Sequence, residues 1–304
     1  MKVLILGSNQ GRRYNWGHQH FKDEIARQHD VQFYGEGHNG WRLSLAHIDD
    51  ILEELRFYPD LIFSYMGKYC KWMKGLDDVG IPKAHFVVDY FPWNYSIEDT
   101  FIDETRPGLV FAPCQHEVRA LLDHGHRGEW MPFSVSPSVF SDRGRERDLD
   151  VTAIFSVVRW AYPNRHKILD TLRKLPIQGV IQASWPKTRV WHQDYVDALQ
   201  RSKIVMNGVD KHYSLNWKFL EPTACGAMLL TEWAEDMAEM RFQDGKNCVV
   251  FEGMVDMVEK IRYYLAHENE RREIAEAGRD LVHERHTIGR RVEAMMRRIE
   301  GGLL

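Results

Sequence analysis

Asn216-Trp217-Lys218-Phe219-Leu220-Glu221-Pro222-Thr223-Ala224-Cys225-Gly226-Ala227-Met228-Leu229-Leu230-Thr231 reads as a helix, a turn of small residues and a buried strand in immediate succession. A helix opening at Asn216 has unpaired backbone N–H groups and partial positive charge in its first turn, the ordinary place to hold an anion. Lys218 and Glu221 lie on one face of it. The lysine can neutralise a phosphate, and a carboxylate accepts well from a vicinal diol. Pro222, Ala224, Gly226 and Ala227 are costly in an exposed helix but suit close packing beside a ligand. The stretch therefore reads as part of a site for an anionic, sugar-bearing ligand, set against the plainer alternative of an ion pair on a helix surface.

Working outward, strands and helices alternate. Upstream, residues 150–156 form a strand, 165–175 a helix, 179–182 a strand, 199–202 the end of a helix and 203–207 a strand; downstream come a strand at 249–251 and helices at 254–266, 270–283 and 287–300. The N-terminal half repeats the pattern. Strands are expected at 1–7, 30–35, 59–65, 80–89, 108–112 and 129–133, with helices at 17–28, 48–57, through Trp72 and Leu76, and at 117–124. Residues 134–147, rich in Ser, Pro, Arg, Asp and Gly, lack apolar periodicity and read as a linker. A chain of 304 residues exceeds most single cores. The expected fold is α/β with two Rossmann-like, doubly wound domains facing across a cleft, residues 1–140 and 141–304, the final helix packing back on the first domain.

Ligands of open α/β sheets bind outside the carboxyl ends of the strands. In the second domain, Ser214, Leu215 and Asn216 precede the helix and offer backbone amides to a diphosphate. Arg159 and Arg165 flank the loop after the first strand and read either as a second phosphate contact or as solvated loop residues. Gln182, Ala183, Ser184 and Trp185 follow the next strand and border a nucleobase, with Trp185 as the stacking surface. In the first domain Asp89 ends a strand beside Tyr90, Phe91 and Trp93, where an acceptor would sit or a turn would be capped. Arg12, Arg13 and His18 follow the first strand and read as a solvated loop or as part of the acceptor site. Gly7 and Gly11 make no dinucleotide fingerprint, because the third glycine is missing.

Composition excludes other classes. A net charge of −4 disfavours a sequence-blind nucleic-acid binder, though a local groove of Arg12, Arg13, Lys68, Lys71, Trp72 and Lys74 remains a second reading. Cys70, Cys114, Cys225 and Cys248 are scattered, with no zinc spacing, and read as reduced thiols of a cytoplasmic protein; no apolar run is long enough to span a bilayer. Asp148-Leu149-Asp150 precedes a strand, so it reads as a solvated turn and not as a metal-holding triplet, and no Gly-x-Ser-x-Gly elbow is present. No metal site is expected.

The run Lys218 to Thr231, followed by Phe242-Gln243-Asp244-Gly245-Lys246-Asn247, Phe251, Ile261-Arg262-Tyr263-Tyr264-Leu265, Arg271, Ala275, Gly278, His286-Thr287 and Arg290, resembles the C-terminal half of the CgeB-like glycosyltransferases, relatives of the GT4-type enzymes of GT-B fold. The resemblance implies retaining transfer of a sugar from a nucleotide-sugar, UDP- or GDP-linked, without an essential metal or other cofactor. It implies a ribose contact for Glu221; over the first half the likeness is architectural only, and the strand-end position of Asp89 is what suggests Asp89 or His18 near the reacting hydroxyl. The acceptor is left open among a small molecule, a glycan, a protein and a modified DNA base. Two departures stand out. The GT4 pattern has a second Glu where this chain has Tyr213, and Lys218 replaces an arginine. Tyr213 is therefore kept as a donor-site position without the sugar contact of a carboxylate. A catalytically silent relative is the remaining alternative.

Overall fold

The computed structural model describes residues 1–9, 16–38, 40–42, 46–92, 94–183 and 192–303. Arg12, Arg13, Trp93, Ser184 and Trp185 lie outside the described residues. The chain folds into two compact units, one of Met1–Pro132 with Ile288–Leu304 and one of Phe133–Thr287.

The first unit is built on β1 (Lys2–Leu6), α1 (Trp16–Gln28), β2 (Asp30–Tyr34), α2 (Ile48–Leu55), β3 (Leu61–Tyr65), β4 (Lys83–Phe86), α3 (Tyr95–Thr105), β5 (Leu109–Ala112), α4 (Gln115–Asp123) and β6 (Gly128–Trp130). The strands form one parallel sheet in the order β2-β1-β3-β4-β5-β6. Its central strands are buried along nearly their whole length, which is why they read as continuous apolar runs.

The second unit has β7 (Leu149–Phe155), α5 (Arg165–Leu172), β8 (Ile181–Ala183), α6 (His192–Arg201), β9 (Ser202–Asn207), α7 (Trp217–Ala224), β10 (Met228–Thr231), β11 (Val249–Val250), α8 (Gly253–Ala266) and α9 (Glu268–Arg285). Its parallel sheet runs β11-β10-β9-β7-β8, so both units share the 2-1-3-4-5 order of a doubly wound fold in their own numbering, the first with a sixth strand, β6, added beyond it. The order reverses between β1 and β3 in one unit and between β7 and β9 in the other. At such a switch the loops diverge and leave a crevice at the carboxyl ends of the strands.

The last helix, α10 (Ile288–Leu303), belongs to the first unit. Ile288, Val292, Met295, Met296 and Ile299 make its buried stripe, Gln28 donates to the Gly289 carbonyl at 3.4 Å, and Arg298 forms a two-pronged ion pair with Glu129. The units divide at 132/133, ahead of the expected boundary at 140/141.

Two local expectations fail for physical reasons. No helix runs through Trp72 and Leu76; a 3₁₀ turn at Gly67–Tyr69 is followed by turns, and Gly75 adopts φ 75°. Cys70, Met73 and Leu76 are buried three residues apart, which imitates helical periodicity. Conversely, α3 was not expected. Its buried positions Glu98, Phe101, Ile102 and Thr105 have helical spacing, but two of them are polar. The β4 strand also stops at Phe86, short of the expected 89. The triplet at 148–150 begins β7 as an ion-paired surface, Asp148 meeting Arg201 and Asp150 meeting Lys203.

Candidate functional site

In the second unit, the loops after β7, β9 and β10 meet at the switch between β7 and β9. Arg165 opens α5 and is buried. Its Nε donates to the Gly208 carbonyl at 2.7 Å and its Nη1 to the Ser156 carbonyl at 3.2 Å, while the guanidinium lies 3.5 Å from the Tyr162 ring centre. Burial lowers its pKa. Arg165 thus braces the loops after β7 and β9 from inside. Gly208 has no side chain because a Cβ there would come within 2.9 Å of both Arg165 Cγ and Ile168 Cδ1.

The loop after β9 is drawn into a tight turn by Asp210, whose Oδ1 accepts from the backbone N–H of His212 at 2.8 Å and of Ser214 at 3.1 Å. Tyr213 takes φ 58° there, and its side chain is 54% exposed. The turn delivers the chain to α7. Asn216 caps that helix, its Oδ1 accepting from Lys218 N at 2.9 Å. Leu215 is buried in the core, and Ser214 Oγ is buried with no hydrogen-bond partner among the described residues. An unspent hydroxyl beside a helix N-terminus is a cost that a bound anion would relieve.

Lys218 and Glu221 do form an ion pair, at 3.2 Å, but it is not a solvated surface pair. Tyr195 of α6 covers it: the phenol donates to Glu221 Oε2 at 2.7 Å, accepts from Lys218 Nζ at 2.5 Å, and the ammonium sits 3.9 Å from the ring centre. Burial lowers the Lys218 pKa, opposed by Glu221, and burial followed by the Glu221 charge raises Tyr195 well above its ordinary value. Both contacts fall on Glu221 Oε2, so its Oε1 has no partner among the described residues, and Lys218 keeps one N–H unspent. The cluster holds a carboxylate oxygen and an ammonium proton in fixed positions one helical turn past the cap.

Two further residues of this region stand outside the sequence expectation. Tyr195 reaches the pair from another helix, which only topology reveals. Glu232 follows β10 directly, the strand-end position that singled out Asp89. Its carboxylate accepts from Asn164 Nδ2 at 2.7 Å and from Val209 N at 3.0 Å, and burial raises its pKa against those bonds and against Arg165. Arg159 is exposed on the loop after β7, and Gln182 is half-buried on β8.

In the first unit, the corresponding end of the sheet carries His18 and Asp89. His18 is buried, with Nδ1 2.5 Å from the Tyr65 hydroxyl. Burial, then Lys22 and Lys68, push its pKa down to about 3, so the ring is neutral near pH 7 and is a feeble proton acceptor there. Asp89 is exposed at φ 59°, past the end of β4, and its charge adds to the burial that raises Tyr65. Beneath them lies a network that the sequence did not disclose. His85 and Glu98 are both 0% exposed; Ser64 Oγ is 2.7 Å from His85 Nδ1, and His85 Nε2 is 3.0 Å from Glu98 Oε2. Glu98 also accepts from Gly67 N at 2.9 Å and Asn94 Nδ2 at 3.4 Å. Burial pushes Glu98 up, but His85, Gly67 and Asn94 outweigh it and hold the carboxyl below its ordinary value. Of the residues suggested for a nucleic-acid groove, Trp72 packs against Tyr34 and Trp41, with its Nε1 donating to the Tyr69 carbonyl.

Among the described residues no group of three His, Cys, Asp or Glu is arranged to hold a metal ion, and no helix is long and apolar enough to cross a membrane. The four cysteines are buried and form no disulfide among the described residues.

Residues 165–297 match the family model described as "Glycosyl transferase-like". No curated protein matches the chain by sequence. Among solved structures, Anabaena Alr3699/HepE in complex with UDP-glucose is 12% identical, with 99% of this chain and 100% of that chain covered and a TM-score of 0.71. Sucrose-phosphate synthase (tll1590) from Thermosynechococcus elongatus is 8% identical, covering 99% of this chain and 98% of that one at a TM-score of 0.69. A glycosyltransferase from Rickettsia africae ESF-5 is 11% identical at 99% and 98% coverage, with a TM-score of 0.67. The C-terminal half is thus glycosyltransferase-like in sequence, and the whole chain has the GT-B fold.

Proposed function

We propose that the chain is a glycosyltransferase that takes a sugar from a nucleotide-sugar held by its second unit. The observation that carries this is the cluster Lys218–Glu221–Tyr195 one turn inside the capped start of α7, beside the unpartnered Ser214 hydroxyl. A diphosphate meets the α7 amides, Ser214 Oγ and the remaining Lys218 proton; the ribose diol meets Glu221 Oε1. Arg165 acts through the loops it braces, with Arg159 on the open side of the same loop. Gln182 and Trp185 border the base.

UDP is the first nucleotide to test, because Anabaena HepE is solved with UDP-glucose and with UDP and glucose; GDP is the second. The acceptor binds the first unit, at the end that carries His18 and Asp89. A neutral His18 orients the acceptor hydroxyl and Asp89 takes its proton. The positive charge facing the leaving diphosphate comes from Lys218 and the helix terminus, so transfer proceeds without an essential metal, and with retention as in the CgeB-like enzymes that the C-terminal sequence resembles.

Titration calorimetry with UDP and GDP tests the donor assignment. The wild type binds one of them, and Glu221→Ala weakens that binding roughly tenfold to a hundredfold, the effect of removing a hydrogen bond to a charged acceptor. Binding of neither nucleotide, or binding indifferent to Glu221→Ala, would sink the assignment. Turnover that survives chelator but is lost in Asp89→Asn supports the remainder.

A further inference from the structure

At the amino ends of the second unit's strands, the side of the sheet away from the first turn of α7, lies a cavity of about 510 Å³, a volume that holds a small organic ligand. Its walls are the segment leading into β7, the start of β9, the turn between α7 and β10 and the first half of α9. Three arginines of these walls are poorly answered. Arg271 is buried; its Nη1 donates to the Tyr264 carbonyl at 3.0 Å and its Nη2 stands 3.6 Å from Glu268, too far for a hydrogen bond, so most of its N–H donors have no partner among the described residues. Arg147 donates to the Ser202 and Cys225 carbonyls at 2.7 and 2.9 Å, and Asp142 stands 3.4 Å away. Arg272 is 3.9 Å from Glu276.

The other two cations of the cavity are placed differently. Arg145 is in close contact with Asp197, and Lys203 meets Asp150 at 2.7 Å. The loose pairs are therefore a property of the three arginines and not of the region. The arginines also act on one another: burial lowers the Arg271 pKa, Glu268 opposes this, and the charges of Arg147 and Arg272 lower it further. Gly226, at φ 75°, keeps the approach open, since a Cβ there would lie 2.6 Å from Asp142 Oδ2 and 2.7 Å from Arg147 Nη2. Neighbouring guanidiniums with stretched counter-ions are relieved by an anion set between them. A phosphate monoester, which carries more charge than a carboxylate and presents its oxygens to planar donor forks, suits them best. Glu146, Glu268 and Glu276 on the same walls are acceptors for hydroxyls, which favours an ester with a hydroxylated body over the bare ion.

We propose that this cavity binds a small, hydroxyl-bearing phosphate ester, its phosphate seated among Arg147, Arg271 and Arg272 and its hydroxyls turned toward Glu268 and Glu276. The site lies at the opposite ends of the strands from the nucleotide-sugar and stands or falls independently of the donor reading.

Calorimetry with ribose 5-phosphate and with orthophosphate tests it, on the wild type, Arg271→Gln, Arg272→Ala, Lys218→Ala and Arg262→Ala, the last an exposed arginine of α8 outside the cavity. The wild type binds the ester more tightly than orthophosphate, Arg271→Gln and Arg272→Ala each weaken the ester roughly tenfold, and Arg262→Ala and Lys218→Ala stay within about twofold. No binding by the wild type overturns the site, and orthophosphate bound as tightly as the ester overturns its assignment to an ester. Equal losses in Arg272→Ala and Arg262→Ala would reduce the effect to general surface charge. Binding lost in Lys218→Ala and kept in both cavity variants would put the phosphate beside α7 instead. The Arg272 side chain is 64% exposed, so Arg272→Ala carries the same readout should Arg271→Gln fail to fold.

Discussion

The two switch-point crevices begin from the same strand order and are finished differently. In the first unit the network around Glu98 is sealed: Ser64, His85, Glu98, Gly67 N and Asn94 satisfy one another with no exposure at the His85–Glu98 pair, while Asn9 Oδ1 in the loop after β1 lacks a partner among the described residues. In the second, the polar groups are fixed but incompletely spent: Glu221 Oε1, Ser214 Oγ and Asn207 Oδ1 lack partners among the described residues. Topology supplies a crevice in both. Whether its polar groups make a frame or a binding site depends on whether they consume one another's hydrogen bonds.

The sharpest way to break that comparison is Glu98→Ala, which leaves His85, Gly67 N and Asn94 buried without their acceptor. It should cost roughly 3–5 kcal/mol of stability in urea unfolding, whereas Glu232→Gln should cost far less; equal losses would mean that the second crevice is a frame as well. His18→Asn comes next. A histidine held near 3 in the fold and near 6.5 when unfolded stabilises fully above pH 6.5, and that contribution is lost as pH falls from there through 3. The wild type should therefore lose on the order of a few kcal/mol across this window through His18, and the variant's stability should fall less steeply with acid when melting is followed against pH. A slope unchanged in the variant would remove His18 from the buried frame. The smallest effect belongs to Asn216→Ala, about 1 kcal/mol for a lost helix cap, measurable as a shift in the denaturant midpoint without a change in the slope.

Much of this could be read from the chain, for reasons that differ by region. The central strands of parallel sheets are buried on both faces, so Val3–Leu6 and Leu61–Tyr65 appear as unbroken apolar runs. The α7 region was legible because its cap, its charged pair and its small-residue turn are contiguous in sequence. The network around Glu98 was not, because a carboxylate and a threonine occupy inward positions of α3 and erase its apolar stripe. Tyr195 was hidden for another reason. It joins a pair more than twenty residues away, a distance across which local patterns carry no information. Glu232 directly follows an apolar strand run, Met228–Thr231, the same sequence position that marks Asp89.

The return of α10 to the first unit has a consequence for synthesis. On the ribosome, the strands of the first sheet emerge before any of Phe133–Thr287, yet the surface that Ile288, Val292, Met295 and Ile299 cover stays open until the intervening unit has been translated. The second unit is contiguous and can close as soon as it leaves the exit tunnel; the first waits with an apolar flank beside α1. Nascent chains stalled before residue 288 should therefore be held by chaperones through their N-terminal portion, although that portion is the older of the two.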